Sequence, residues 1–366
     1  MIQKYAYAVL CLCTWYALGN DKNNDKQTPS RPFKRSFLSS TLIAKTKDPS
    51  TTIEHAQHYI AQGASTDIFD QHGNSLLQVA ILHNNARFAD FFINQGVKVD
   101  HKNNQGKTAL MLAVEKQDVD LVKLLIKYNA DVNATDKSKT SPLMQAAISG
   151  NVTLVELLLD YGANIQAQDE VEATTLMYAV QSGSLEVVKT IVTYEISREQ
   201  NKDKALYHIA MIDQSYRTHI YQKDPAIINA KSVEGLTALM FAAAFGHDAI
   251  AGYLIKHGAD VTAADEDSLT ALHFAAHYGS ENIVDILLAN GAAINAQTNS
   301  GQTPLMFAVA KKFESIVEKL INHGADTSIK DAGNGTWLSF TDNHEFQQVI
   351  TDMIKAYNHK KQHEGL

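Results

Sequence analysis

The sequence predicts an all-α fold, a single elongated solenoid of short antiparallel helix pairs. Three observations predict it. Threonine or serine recurs at Ser75, Thr108, Ser141 and Thr174, and again at Thr237, Thr270, Thr303 and Thr336, with 33 residues between neighbours in each group. A second marker keeps the same phase at Gly63, Gly96, Asn129 and Gly162, then at Gly258, Gly291 and Gly324. The third is the grammar inside one period. Thr270 and Ser280 stand where helices start, because a hydroxyl accepts from the free N–H groups of a first turn. Gly279 and Gly291 stand where helices stop, because glycine adopts the left-handed conformation cheaply. Between them Ile283, Val284, Leu287 and Leu288 form a broad apolar stripe. One such pair cannot bury this stripe alone and needs a similar pair on each side.

Thr270-Ala-Leu-His-Phe-Ala, Thr303-Pro-Leu-Met-Phe-Ala and Ser141-Pro-Leu-Met-Gln-Ala carry a recognisable motif. With the 33-residue period, it resembles the ankyrin-repeat family from about residue 40 to the C-terminus. The resemblance implies helix pairs joined by β-hairpin-like finger loops, and a fold used mainly to bind other proteins. It implies an ankyrin-repeat domain over residues 39–358, of about ten units with caps. The family's motif histidine, which bonds between loops, stands here only as His273. Gln78 replaces it once, and Met111, Met144, Met177, Met240 and Met306 replace it elsewhere. Methionine fills the core but puts that bonding network in question.

In chain order, residues 1–19 read as a secretory signal peptide. Lys4 is followed by an uncharged apolar run from Tyr5 to Leu18, too short for a comfortable membrane span. Ala17 and Gly19 place small residues for cleavage before Asn20. Lipidation at Cys11 or Cys13, or an uncleaved anchor, are the alternatives. Both cysteines of the chain lie in this segment, so the cleaved chain has no disulfide, cysteine metal site or thiol nucleophile. Residues 20–38 are polar, with two prolines, and read as a flexible linker. Thr41 to Ala64 form a degenerate first pair. The gap from Thr174 to Thr237 is 63 residues, which reads as one full unit followed by a shortened, degenerate unit at 196–225. Glu345 to Tyr357 supply the last helix, and residues 359–366 a frayed tail.

The composition, with 45% hydrophobic residues, is that of a folded chain, and the net charge of −8 argues against nucleic-acid binding. No phosphate loop or nucleophile elbow appears. His273 and His277 share a helical face at a spacing that can hold zinc, but Phe274 stands where a metalloprotease needs its glutamate. They are better read as the motif histidine and a surface residue. No cofactor and no catalytic residue is expected. The resemblance places partners on the concave side, at the finger tips and the ends of the first helices. There Leu236, Phe245, Leu269, His277, Tyr278 and Lys311 form the candidate partner-binding surface, while Lys102, Lys107, Lys116 and Lys137 occupy equivalent places earlier. The chain is thus expected to be an exported, monomeric, non-enzymatic scaffold for another protein, periplasmic or secreted. The resemblance also points to a host-directed bacterial effector. A membrane-tethered scaffold, and a His/acid metal-dependent enzyme, are the alternative readings.

Overall fold

The computed structural model describes residues 34–48, 50–200 and 226–364. Among the described residues, seventeen α-helices and one 3-10 turn make nine antiparallel pairs, and one further short helix stands outside them. Unit 1 pairs α1 (Lys34–Thr46) with α2 (Ile53–Ala61), and unit 2 pairs α3 (Leu76–Leu82) with α4 (Arg87–Asn94). Unit 3 holds α5 (Ala109–Glu115) and α6 (Val119–Lys127), and unit 4 α7 (Pro142–Ile148) and α8 (Val152–Asp160). Unit 5 holds α9 (Thr175–Gln181) and a long α10 (Leu185–Gln200). A single turn, α11 (Ala226–Asn229), then leads into unit 6, α12 (Ala238–Phe245) with α13 (Asp248–Lys256). Units 7 and 8 are α14 (Ala271–Tyr278) with α15 (Glu281–Ala289), and α16 (Pro304–Lys311) with α17 (Glu314–Asn322). Unit 9 pairs the 3-10 turn Trp337–Phe340 with α18 (His344–Glu364).

The first helix of most pairs buries a largely apolar set of side chains. In α14 every residue from Ala271 to Ala276 is buried. These inner helices stack on one another along the array, and the outer helices lie behind them. From Leu76–Leu82 to Pro304–Lys311 each inner helix opens on the repeated hydroxyl. Ser75, Thr108, Ser141, Thr174, Thr237 and Thr303 accept from the N–H three residues on, which satisfies one of the free donors of the first turn. Among the described residues the finger loops between pairs hold no extended strands, only single bridges such as Gln168 to Thr174 and Ala264 to Thr270. One backbone bond joins each finger to the next. Asn104, Lys137, Glu170, Val233, Glu266, Asn299 and Ala332 donate to His72, Gln105, Ser138, Val171, Glu234, Asp267 and Ser300.

That ladder corrects the expected unit at 196–225. Val233 N–H donates directly to Val171 O at 3.0 Å, and α9 packs directly on α12. Among the described residues nothing stands between units 5 and 6. Residues 196–200 belong to α10, and residues 201–225 lie outside the described residues. Units 5 and 6 therefore meet directly, with no described layer between them. A further contact shows the junction to be regular. Gly279 has no room for a Cβ, which would lie 2.9 Å from the Phe313 ring of the next unit, and Gly183 likewise faces the ring of His247 at 3.0 Å. Both glycines lie at positive φ, and each receives the side chain that begins the next outer helix.

Two boundaries and one side-chain cap also differ. Helix α1 begins at Lys34, so residues 34–38 are helical rather than linker, and α18 runs to Glu364, so residues 359–364 are helical rather than frayed. Ser280 does not cap α15. Its hydroxyl donates to Ala243 O of the preceding unit at 2.7 Å. Among the described residues no helix is long and apolar enough to cross a membrane.

Candidate functional site

One surface of the stack is made by finger bases and inner helices, and its columns follow from the helical repeat. Counting from the repeated Thr/Ser, the residues one before it and four, seven and eight after it share this inner face. Contacts across it establish the register. Lys107, one before Thr108, pairs with Glu115, seven after. Gln145 Nε2, four after Ser141, donates to Glu115 Oε1 of the unit before at 3.3 Å. The rings of His277 and Phe307 lie 5.9 Å apart across units 7 and 8.

The composition of this face changes along the array. Unit 3 presents Lys107, Leu112, Glu115 and Lys116, and unit 4 Thr140, Gln145, Ile148 and Ser149. At the same register positions unit 6 has Leu236, Phe241, Ala244 and Phe245, and unit 7 has Leu269, Phe274, His277 and Tyr278. Unit 8 adds Phe307 and Lys311. The Phe241 and Phe245 rings stack at 6.3 Å, and Phe245 stacks on His247 at 5.9 Å. His277 meets Tyr278 edge-on at 4.8 Å. Phe245 and Tyr278 are half-buried and line one shallow groove with Ser280, Glu281 and Asn282. The buried Tyr278 hydroxyl has no hydrogen-bond partner among the described residues, and burial raises its pKa.

Two of the six candidate residues are misplaced. Leu236 is 5% exposed and Leu269 2%. Each sits at the base of its finger, with its N–H held by Ser232 Oγ at 3.2 Å or Asp265 Oδ1 at 2.7 Å. Both side chains join the core cluster that also contains the Phe241 and Phe274 rings. They support the surface and cannot form it. Phe245, His277 and Tyr278 remain on it half-buried, and Lys311 is exposed beside them. His277 is held neutral, its pKa lowered to about 4 by burial and then by the Lys311 charge.

The sequence reading missed the column four residues after the motif hydroxyl. Tyr178, Phe241, Phe274 and Phe307 occupy it in four successive units. The same register arithmetic finds them, since each follows Thr174, Thr237, Thr270 or Thr303 by four. Tyr178 also ties helix to finger, its hydroxyl donating to Asp169 Oδ2 at 2.6 Å. Burial, and then the Asp169 carboxylate, raise its pKa.

His273 is fully buried, and both its ring nitrogens are engaged. Nδ1 accepts from Thr270 N–H at 3.1 Å, so Nε2 carries the proton and donates to Gln302 O at 3.1 Å. Desolvation lowers its pKa to about 4. The nitrogens that would have to bind zinc with His277 are thus occupied in holding two loops together. Gln78 performs the same double task, accepting from Ser75 N–H and donating to His101 O and Lys107 O. In Met144, Met177, Met240 and Met306 the sulfur accepts from the motif residue's N–H at 3.4–3.5 Å. A thioether has no proton to donate, so these units lack the bond to the following loop. Among the described residues no three His, Cys, Asp or Glu side chains are grouped to hold a metal.

Five overlapping stretches, 44–136, 118–204, 176–265, 208–298 and 263–331, match the family model described as Ankyrin repeats (3 copies). The chain belongs to the ankyrin-repeat family. No curated protein matches the chain. Ankyrin repeats serve as binding modules for other proteins, and repeats of this family are all that the comparison finds in the chain. The aromatic inner face of units 6–8 is where this array differs most from its own earlier units.

Proposed function

We propose that the chain is an exported, non-enzymatic protein-binding scaffold, and that its partner docks on the inner face of units 6–8. The observation that carries this reading is the half-buried pair Phe245 and Tyr278, which line one groove. Equivalent positions in units 3–5 carry Lys116, Ser149 and Ser182. Stacking therefore does not require a ring there. Large aromatics that are partly desolvated before binding and lie near charge have the character of interface anchors.

The test is Phe245→Ala combined with Tyr278→Ala. Binding to a partner recovered with the wild-type chain should weaken at least tenfold, about 1.4 kcal/mol. Lys107→Ala with Lys116→Ala should change affinity little, acting mainly on the salt-dependent association rate. A lowered melting temperature with unchanged affinity of the folded fraction would make the two rings core residues and reject the reading. Export rests on Lys4, the apolar run to Leu18 and the small residues Ala17 and Gly19, all outside the described residues. N-terminal sequencing of the secreted protein should begin at Asn20, and a retained leader would reject that part. A host-directed role rests on the family resemblance.

A further inference from the structure

The finger tips of units 5, 6 and 7 differ from all the others. Their loops carry Asp169, Glu170, Glu172, Glu234, Asp265, Glu266 and Asp267 against one base, Lys231. Two of the acids are structural. Asp169 Oδ1 accepts from Val171 N–H and Ala173 N–H, and Asp265 Oδ1 from Asp267 N–H and Leu269 N–H. Glu170, Glu172 and Glu266 are exposed. The loop of unit 4, by contrast, carries Lys137 and Lys139 at its tip.

Within this acidic lip stand two apolar residues. Val171 is 52% and Val233 50% exposed, the two most exposed large apolar side chains among the described residues. They come from units separated by the insertion, yet the Val233-to-Val171 backbone bond sets them on adjoining fingers. Other tips carry Gln71 and His72, Asn104 and Gln105, or Asn299 and Ser300. Neither feature helps the array to fold. Like charges on adjoining fingers repel one another, and exposed valines gain nothing from water. A partner that supplies positive charge and an apolar contact relieves both.

We propose that this lip docks a basic segment of the partner, with lysine or arginine against Glu170, Glu172 and Glu266 and an aliphatic side chain on Val171 and Val233. Charge complementarity selects that occupant. The inference rests on the inner-face reading above, since the lip borders that face where Tyr178 bonds to Asp169. It adds what the partner must look like. Nucleic acid and anionic membrane are repelled by the same charges.

The test uses the full chain and two labelled peptides of equal length, one alternating lysine with valine and one alternating glutamate with valine. The lysine peptide should bind and the glutamate peptide should not. The triple variant Glu170→Gln, Glu172→Gln, Glu266→Gln should weaken the lysine peptide about tenfold and flatten the salt dependence. Val171→Ser with Val233→Ser should weaken it about threefold and leave the salt dependence unchanged. The control removes three charges elsewhere, Glu156→Gln, Glu314→Gln and Glu318→Gln, and should cost less than about twofold. An equal loss in the control would show diffuse attraction only and overturn the proposal. So would calcium raising the melting temperature of the wild type but not of the triple variant, which would make the lip a cation site. If the recovered partner loses affinity with the Phe245/Tyr278 double variant but not with the triple variant, the inner-face reading stands and the basic-segment inference fails.

Discussion

Units 3 and 4 and units 6 and 7 are built on the same backbone plan and turn the same columns toward the inner face, yet present opposite chemistry. In unit 3 the finger base is Lys107, whose ammonium pairs with Glu115, and the helix ends on Lys116. In unit 6 the finger base is the buried Leu236, and the helix carries the stacked rings of Phe241 and Phe245. Both solutions leave the stack intact. Fold therefore constrains the columns that face the neighbouring unit and leaves this face open to selection for something else. The comparison also separates two roles that look alike in sequence. Leu236 and Phe245 are both apolar residues outside the repeat motif, but the leucine closes the core and the ring remains partly in solvent.

The largest expected effect tests that separation. Leu269→Ala removes a buried side chain and leaves a cavity, which costs about 2–5 kcal/mol. Thermal or denaturant unfolding should show the loss, and the affinity of the folded fraction should be unchanged. Lys107→Ala, at the equivalent place in unit 3, loses only a partly exposed ion pair of about 0–1 kcal/mol. Equal losses at the two sites would mean that the two halves do not differ as described.

The next effect concerns the junction between units 5 and 6. A Cβ on Gly183 would lie 3.0 Å from the His247 ring at φ +73°, whereas one on Gly246, at a similar φ of +70°, would meet only Ser280 Oγ at 3.5 Å. Both substitutions to alanine strain the backbone by about 1–3 kcal/mol. Gly183→Ala should cost more than Gly246→Ala, because it also pushes on the ring that joins the two units. Native-state hydrogen exchange gives the independent check. The Val233 amide should be protected as well as the Glu266 amide, its counterpart one junction later. Early exchange at Val233 alone would mean that the insertion divides the array after all.

These outcomes bear on how far the sequence could be read. The period fixes every inner helix from Ser75 to Thr303, because each start needs a hydroxyl cap and each period repeats the same apolar positions. It does not say how a surplus of residues is used. The interval from Thr174 to Thr237 fits a shortened layer and an insertion equally well, since spacing records length along the chain and not which surfaces touch. The contact between Gly183 and His247 decides it, and that contact lies across the interval. The proposed binding face is legible in part for the same reason. Register locates Phe245, His277 and Tyr278 on the right surface. Exposure of Leu236 and Leu269 depends on how a finger base turns under its helix, which the hydrogen bonds from their N–H groups to Ser232 and Asp265 settle only in three dimensions.

The smallest effect concerns the motif histidine and compares unit 7 with units 2 and 8. His273 is neutral in the fold, its pKa lowered from an ordinary 6.5 to about 4 by burial. Between those values the unfolded chain binds a proton that the folded chain excludes, so stability rises with pH across this window. The contribution is fully present above pH 6.5 and is lost as the pH falls toward 4. Gln78 makes both of the same bonds without titrating, and Met306 makes only the first. His273→Gln should therefore keep the neutral-pH stability and make the unfolding free energy fall less steeply between pH 6.5 and 4 than in the wild type. His273→Met should flatten the same limb but lose about 1 kcal/mol at neutral pH, the value of one net hydrogen bond to Gln302 O. Denaturant titrations of the three proteins across this pH range are sufficient. If His273→Gln retains the full wild-type acid sensitivity, the titrating group is another one, with His247 and His277, whose pKa values burial also lowers, the next to substitute.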